Sequence, residues 1–184
     1  LFGEAGELLA ALKVDCWVLS LARLDGTRFV AGMRDGSCRV LACADGSMVE
    51  LWRCVGHTGP VGSLSIAGGV CVSGGWDETA RVWDLEARGC VEVLGGHENN
   101  VTALALQRGG CVTGSSGLTA DGAIVGVALR AFAPGPAGWR LVARADGAHD
   151  AAIRCLVELD AGSARAAAFA RCSNDGDVSL WSEN

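Results

Sequence analysis

All three histidines of this chain stand at one place in a repeated pattern. His57 is followed by Val61 and Leu64, His97 by Val101 and Leu104, and His149 by Ile153 and Leu156, an aliphatic residue at plus four and plus seven each time. Val14, with Val18 and Leu21 at the same offsets, marks a fourth and degenerate copy. The far end of each unit agrees. An aspartate lies six residues before an apolar position in Asp35 to Leu41, Asp77 to Trp83, Asp121 to Val127 and Asp175 to Trp181. Self-similarity at roughly 40 residues restricts a chain to architectures in which each unit is one supersecondary element, able to bury its apolar faces only against its neighbours.

The copy from Gly56 to Asp84 is the most regular. Its short apolar runs, separated by Gly, Asp and Glu, predict strands over 61–66, 69–73, 80–83 and 90–94. Four such strands make a small antiparallel sheet, and sheets stacked face to face around an axis leave little exposed edge, which is a β-propeller. The Gly56-His57 start and Val82-Trp83-Asp84 end resemble a WD40 repeat. The expected fold class is all-β, a WD40 β-propeller of four blades in an incomplete, open ring. Residues 1–13 are expected to supply an outer strand to a preceding blade, 14–56 a degenerate repeat, and 57–96 a regular one. Residues 97–148 make a repeat with an insertion at 117–120, followed by an extended loop over 129–145 that carries Pro134 and Pro136. Residues 149–184 form a repeat lacking its last strand. The absence of an initiator Met makes the chain read as an internal piece of a longer protein.

The WD40 resemblance implies a structural role for the signature residues. His57, Ser73, Asp77 and Trp83 would form a hydrogen-bonded chain, since a buried carboxylate is tolerated only when donors fill its acceptor sites. His97, Asp121, His149, Asp175 and Trp181 take the matching places in the later copies. The first copy lacks the His and the Trp, the third has Val127 in the Trp slot, and the fourth has Arg171 where Ser73 aligns. His, Asp and Ser together also invite comparison with a hydrolase triad. Several copies of one constellation at blade edges suit scaffolding rather than a single active site, so no catalytic residue is expected.

Composition narrows the function classes. A net charge of -6 and a pI near 5.0 disfavour a nucleic-acid surface, which needs clustered Lys and Arg. No apolar run approaches the roughly 20 residues that span a bilayer, and the first residues lack the basic leader of a secretory signal. Nine cysteines without a CxxC pair read as reduced thiols serving as small hydrophobes in a cytoplasmic protein, with the nucleus also open to it. Neither a metal nor a cofactor is expected.

Several segments resemble the N-terminal propeller of the phospholipase A2-activating protein family. VGSLSI (61–66) followed by GVCVSGGWDETARVW (69–83) is similar to that family's third blade. AHD (148–150), IRCL (153–156) and CSNDG (172–176) resemble its fifth, and the degenerate strand FVAG (29–32) its second. The resemblance implies a propeller that binds ubiquitin or ubiquitylated protein, in a longer protein whose other domains, absent from this chain, engage an AAA ATPase in protein degradation and ubiquitin recycling. Partners of WD40 propellers dock near the His-bearing loops. The positions there are Trp17, Pro60, Asn100 and Ala152 before the first strands, and Met33, Arg34, Gly75, Trp76, Ser173 and Asn174 before the turn aspartates. Trp17 and Trp76 stand out, because aromatic anchors on a rigid face are frequent hot spots. An acidic chain also suits ubiquitin, whose apolar patch is ringed by basic residues. The alternative is a general WD40 scaffold of another complex, a ligase substrate receptor or a signalling hub. A reader of phosphorylated degrons would need several converging arginines, and this face offers mainly Arg34.

Overall fold

A computed structural model describes residues 10–107, 109–147, 151–159, 168–174 and 178–182. Among these residues every helix or strand is a β-strand, and the strands form four antiparallel meanders. Blade 1 comprises β1 (Val18–Arg23), β2 (Arg28–Met33), β3 (Cys38–Ala44) and β4 (Ser47–Cys54). Blade 2 comprises β5 (Val61–Ala67), β6 (Val70–Gly75), β7 (Ala80–Asp84) and β8 (Gly89–Leu94). Blade 3 comprises β9 (Val101–Gln107), β10 (Gly110–Leu118), β11 (Ile124–Gly135) and β12 (Gly138–Asp146). Blade 4 shows β13 (Ile153–Leu159), β14 (Ala168–Ser173) and β15 (Val178–Ser182). The described residues form four blades of a β-propeller, and in blade 2 each strand lies within two residues of its expected bounds.

The core lies between blades rather than within one. Val30, Val40, Cys54, Val61, Cys71 and Trp83 close the layer between blades 1 and 2. Val72, Val82, Leu94, Val101, Leu104 and Phe132 close the next, and Val112, Leu129, Ile153 and Leu156 the third. The first strand of each blade packs on that of the next, and side-chain hydrogen bonds stitch them together. Ser20 Oγ donates to the Val61 carbonyl at 3.1 Å, Ser63 Oγ to Val101 at 3.4 Å, and Thr102 Oγ1 to Ile153 at 2.8 Å.

This stacking explains a repeated glycine. Gly32, Gly74 and Gly114 occupy one register position on the second strands, opposite Ser20, Ser63 and Ala103. A Cβ on Gly74 would meet Ser63 Oγ of its own blade and stand 2.7 Å from Val101 Cγ1 and 2.9 Å from the Val101 carbonyl oxygen; one on Gly32 would meet Ser20 Oγ and Val61, and one on Gly114 would meet Ile153. In blade 4 the position, opposite Cys155, is the half-buried Cys172.

In blade 1 the first strand is not covered by another blade among the described residues. Val61, Val101 and Ile153 are 0% exposed, yet Val18 at the same position is 43% exposed. Leu104 and Leu156 are buried, and their counterpart Leu21 is 65% exposed.

Two expectations in blade 3 need correction. Residues 129–145 are not an extended loop but most of the β11–β12 hairpin, with Leu129 opposite Ala145 and Pro134 opposite Trp139. Pro134 lies one pair from the hairpin end and Pro136 in the turn, where a missing N–H is tolerated. The Trp slot is filled by Phe132, not Val127, because Cys111 pairs with Phe132 as Cys71 pairs with Trp83. The added residues lengthen the β10–β11 hairpin, whose tip carries Asp121. The outer strand expected over 1–13 falls largely outside the described residues, and 10–13 form no strand. All nine cysteines are free thiols. Among the described residues no helix is long and apolar enough to cross a membrane.

Candidate interaction site and its hydrogen-bonded support

In blade 2 the loop before β5 and the turn between β6 and β7 are tied by one polar chain. The Trp83 indole N–H donates to Ser73 Oγ at 2.8 Å, and Ser73 Oγ lies 2.7 Å from His57 Nε2. His57 Nδ1 is 2.9 Å from both Asp77 carboxylate oxygens. The Thr58 amide (2.9 Å) and the Thr79 hydroxyl (2.8 Å) complete the carboxylate. Burial pushes the His57 pKa down despite Asp77. Burial alone would raise the Asp77 carboxyl, but the Thr58 amide, Thr79 hydroxyl and His57 together hold it below its ordinary value. A neutral imidazole and an ionised carboxylate follow, and they assign the direction: the Ser73 hydroxyl donates to Nε2, and Nδ1–H donates to Asp77.

The other blades solve the same problem differently. In blade 1, Val14 takes the His slot and the buried Arg39 takes over the polar connections. Arg39 reaches Asp15 at 2.7 Å, Asp35 at 3.0 Å and Glu50 at 3.4 Å. Burial works against its charge, but these carboxylates keep its pKa raised. In blade 3, His97 Nε2 meets Thr113 Oγ1 at 2.8 Å and its ring lies 5.8 Å from that of Phe132, while Nδ1 makes no side-chain hydrogen bond among the described residues. Burial first, and Arg130 second, press His97 down to a pKa of about 4. Asp121 does not join it; it is exposed and bonded to Thr119 at the tip of its own hairpin. His149 and Asp175 lie outside the described residues, and Trp181 falls in β15 opposite Phe169.

At this end of the blades one backbone hydrogen bond recurs. The amides of Arg34, Trp76, Ser116 and Asn174 donate to the carbonyls of Trp17, Pro60, Asn100 and Ala152 at 2.9, 2.9, 3.1 and 3.2 Å. Trp17 is 68% exposed with the Arg34 guanidinium 4.5 Å over its ring, and Trp76 is 50% exposed with its indole nitrogen over Gly62. Pro60 and Asn100 are half-buried and Ala152 is buried. Ser173 Oγ is turned inward to the Ala151 and Ala152 carbonyls, while the exposed Asn174 accepts a hydrogen bond from Arg154.

Met33 corrects the expectation of an exposed contact residue, since it is 0% exposed. At its counterpart Gly75 a Cβ would stand 2.4 Å from both His57 Nδ1 and Asp77 Oδ1. With no histidine in blade 1, the Met33 side chain packs inward beside Val14, Ala31 and Leu41. Ser116 is the position that spacing missed, because the longer β10–β11 hairpin carries Asp121 out of register.

Known proteins agree with this architecture. Residues 48–84 match the family described as WD domain, G-beta repeat. Cell division control protein 4 of Candida albicans is 44% identical over 63 residues, 33% of this chain and 9% of that protein. An F-box/WD-40 repeat-containing protein of Arabidopsis thaliana is 33% identical over 103 residues, 50% of this chain and 19% of that protein. The chain thus spans under a fifth of the length of these curated relatives. Among solved structures, the computationally designed Ika4 protein superposes with a TM-score of 0.72 at 25% identity, covering 97% of this chain and 99% of that one. The designed Ika8 protein also reaches a TM-score of 0.72, at 24% identity, and is covered over 49% of its length. The matched repeat, the relatives and the superpositions show a β-propeller that carries a WD40 repeat, a kind of repeat that supports a non-catalytic interaction role.

Proposed function

We propose that this propeller binds ubiquitin, or the ubiquitin moiety of a modified protein, on the end of blades 1 and 2 that carries Trp17, Arg34 and Trp76. The observation that carries the reading is two exposed indoles at the same end of neighbouring blades, Trp17 just before β1 and Trp76 in the turn after β6, the first of them held under the Arg34 guanidinium. Ordered aromatic side chains give contact area at little entropic cost, and the backbone bonds beneath them keep the platform rigid. The acidic chain complements a partner whose apolar patch is ringed by basic groups. The segments similar to the phospholipase A2-activating protein family support the same partner. They further suggest a place in ubiquitin-dependent degradation in the cytoplasm or nucleus, with an AAA ATPase engaged through other domains.

Titration of isotope-labelled ubiquitin with this protein, followed by NMR, is expected to shift resonances around the ubiquitin apolar patch. Trp17→Ala and Trp76→Ala should each weaken binding about tenfold, the value of one buried aromatic anchor. Unchanged ubiquitin spectra at millimolar protein would overturn the proposal.

A further inference from the structure

We propose that a cavity in blade 3 is a carboxylate-binding site, built around Arg130, for an acidic side chain of a bound protein. The cavity measures about 320 Å³ and opens between the start of β11 and the end of β12, with Glu98, Arg130, Arg144 and Asp146 on its walls. Arg130 is 2% exposed, yet its guanidinium makes one hydrogen bond, to Ser115 Oγ at 3.5 Å, and no ion pair among the described residues. A buried guanidinium without a counter-charge is costly, and a cavity beside it gives an anion room to enter.

The same register position carries an arginine in blades 1 and 2, Arg39 and Arg81, and Arg39 shows how carboxylates can surround it. Arg130 lies opposite Thr113 and Arg144, as Arg39 lies opposite Ala31 and Arg53 in blade 1. Arg39 is surrounded by three carboxylates, those of Asp15, Asp35 and Glu50. In blade 3 that set is broken up. Asp121, the turn aspartate corresponding to Asp35, is carried away on the longer hairpin and bonds to Thr119. Asp146 is paired with Arg144. Glu98, one residue after His97 as Asp15 is one after Val14, is exposed on the cavity wall beyond ion-pair distance of Arg130.

One cation is therefore left for a ligand, flanked by two carboxylates. The guanidinium fork matches a single carboxylate bidentately. A phosphate dianion would bring a second negative charge against Glu98 and Asp146. The cavity lies at the same end of the blade as the Ser116–Asn100 hydrogen bond, continuous with the face described above. The assignment does not depend on that face binding ubiquitin.

The test follows the Arg130 side-chain Nε–H resonance of the isotope-labelled full chain during titration with sodium acetate at constant ionic strength, with sodium chloride and inorganic phosphate as comparisons. A saturable shift with acetate, absent with chloride and lost in Arg130→Gln, is the expected result. Glu98→Gln, an exposed change that preserves folding, should tighten acetate roughly threefold by removing the nearby repulsion. A non-saturating shift common to acetate and chloride would overturn the site. Phosphate binding tighter than acetate would overturn the carboxylate assignment. If Arg130→Gln does not fold, Glu98→Gln decides: unchanged or weaker acetate binding sinks the proposal.

Discussion

His97 and His57 show how far a single residue's setting departs from its spacing. Both stand at the same offset from an apolar pair, yet only His57 has a carboxylate on Nδ1. The consequence is a pH dependence with a defined sign. His97 titrates near 4 in the fold and near 6.5 when unfolded, so the unfolded chain takes up the proton first as pH falls. Stability is fully present above pH 6.5 and is lost down to about 4, by on the order of 3 kcal/mol from this residue. His57 adds to the loss in the same direction, whereas Asp77, held below 3.8, acts only under that value. Urea midpoints at pH 7 and 4.5 should differ clearly, and His97→Gln should shrink the difference; an equal difference would sink the assignment. His57, Ser73, Asp77 and Trp83 were legible through the WD40 resemblance, because blade 2 has short, regular strands and turns. Arg39 and Met33 were not, because each takes up space or polar contacts that a histidine supplies elsewhere.

Among the elements, β11 and β12 were the least legible. Two prolines and an inserted hairpin disguised the alternation of Trp139, Leu141 and Ala143, and the same insertion placed Val127 where Phe132 belongs. The second strands carry a signal that was present but unread, namely glycine at 32, 74 and 114 and cysteine at 172. Its cause is the next blade, whose first strand, together with Ser20 or Ser63 of the glycine's own blade, occupies the place of a side chain. Gly74→Ala should lower stability by about 1–3 kcal/mol by forcing blades 2 and 3 apart. Cys172→Gly should change it by less than about 1 kcal/mol. Chemical denaturation of the two variants checks this, and a benign Gly74→Ala would mean that the blades are less tightly stacked.

For the whole molecule, stability resides in the layers between blades, so the same residue type has different weight at each position of the arc. Leu21 and Leu104 occupy equivalent places, but only Leu104 is covered by a neighbour. Leu104→Gln should cost at least about 3 kcal/mol, while Leu21→Gln should change stability by no more than about 0.5 kcal/mol. A large loss from Leu21→Gln would show that another surface covers blade 1 in solution.

Sequence alone determined what is local and periodic: the number of repeats and the strand spacing and, through the WD40 resemblance, the identity of the His–Ser–Asp–Trp chain, because each lies within one blade. Only the tertiary structure decided which face of blade 1 stays open, where Asp121 goes, why Met33 is buried, and which of the equivalent arginines, Arg39, Arg81 and Arg130, is surrounded by carboxylates. These are properties of contacts between strands and blades. Burial and counter-charge depend on what lies across the gap, and no spacing along the chain records that.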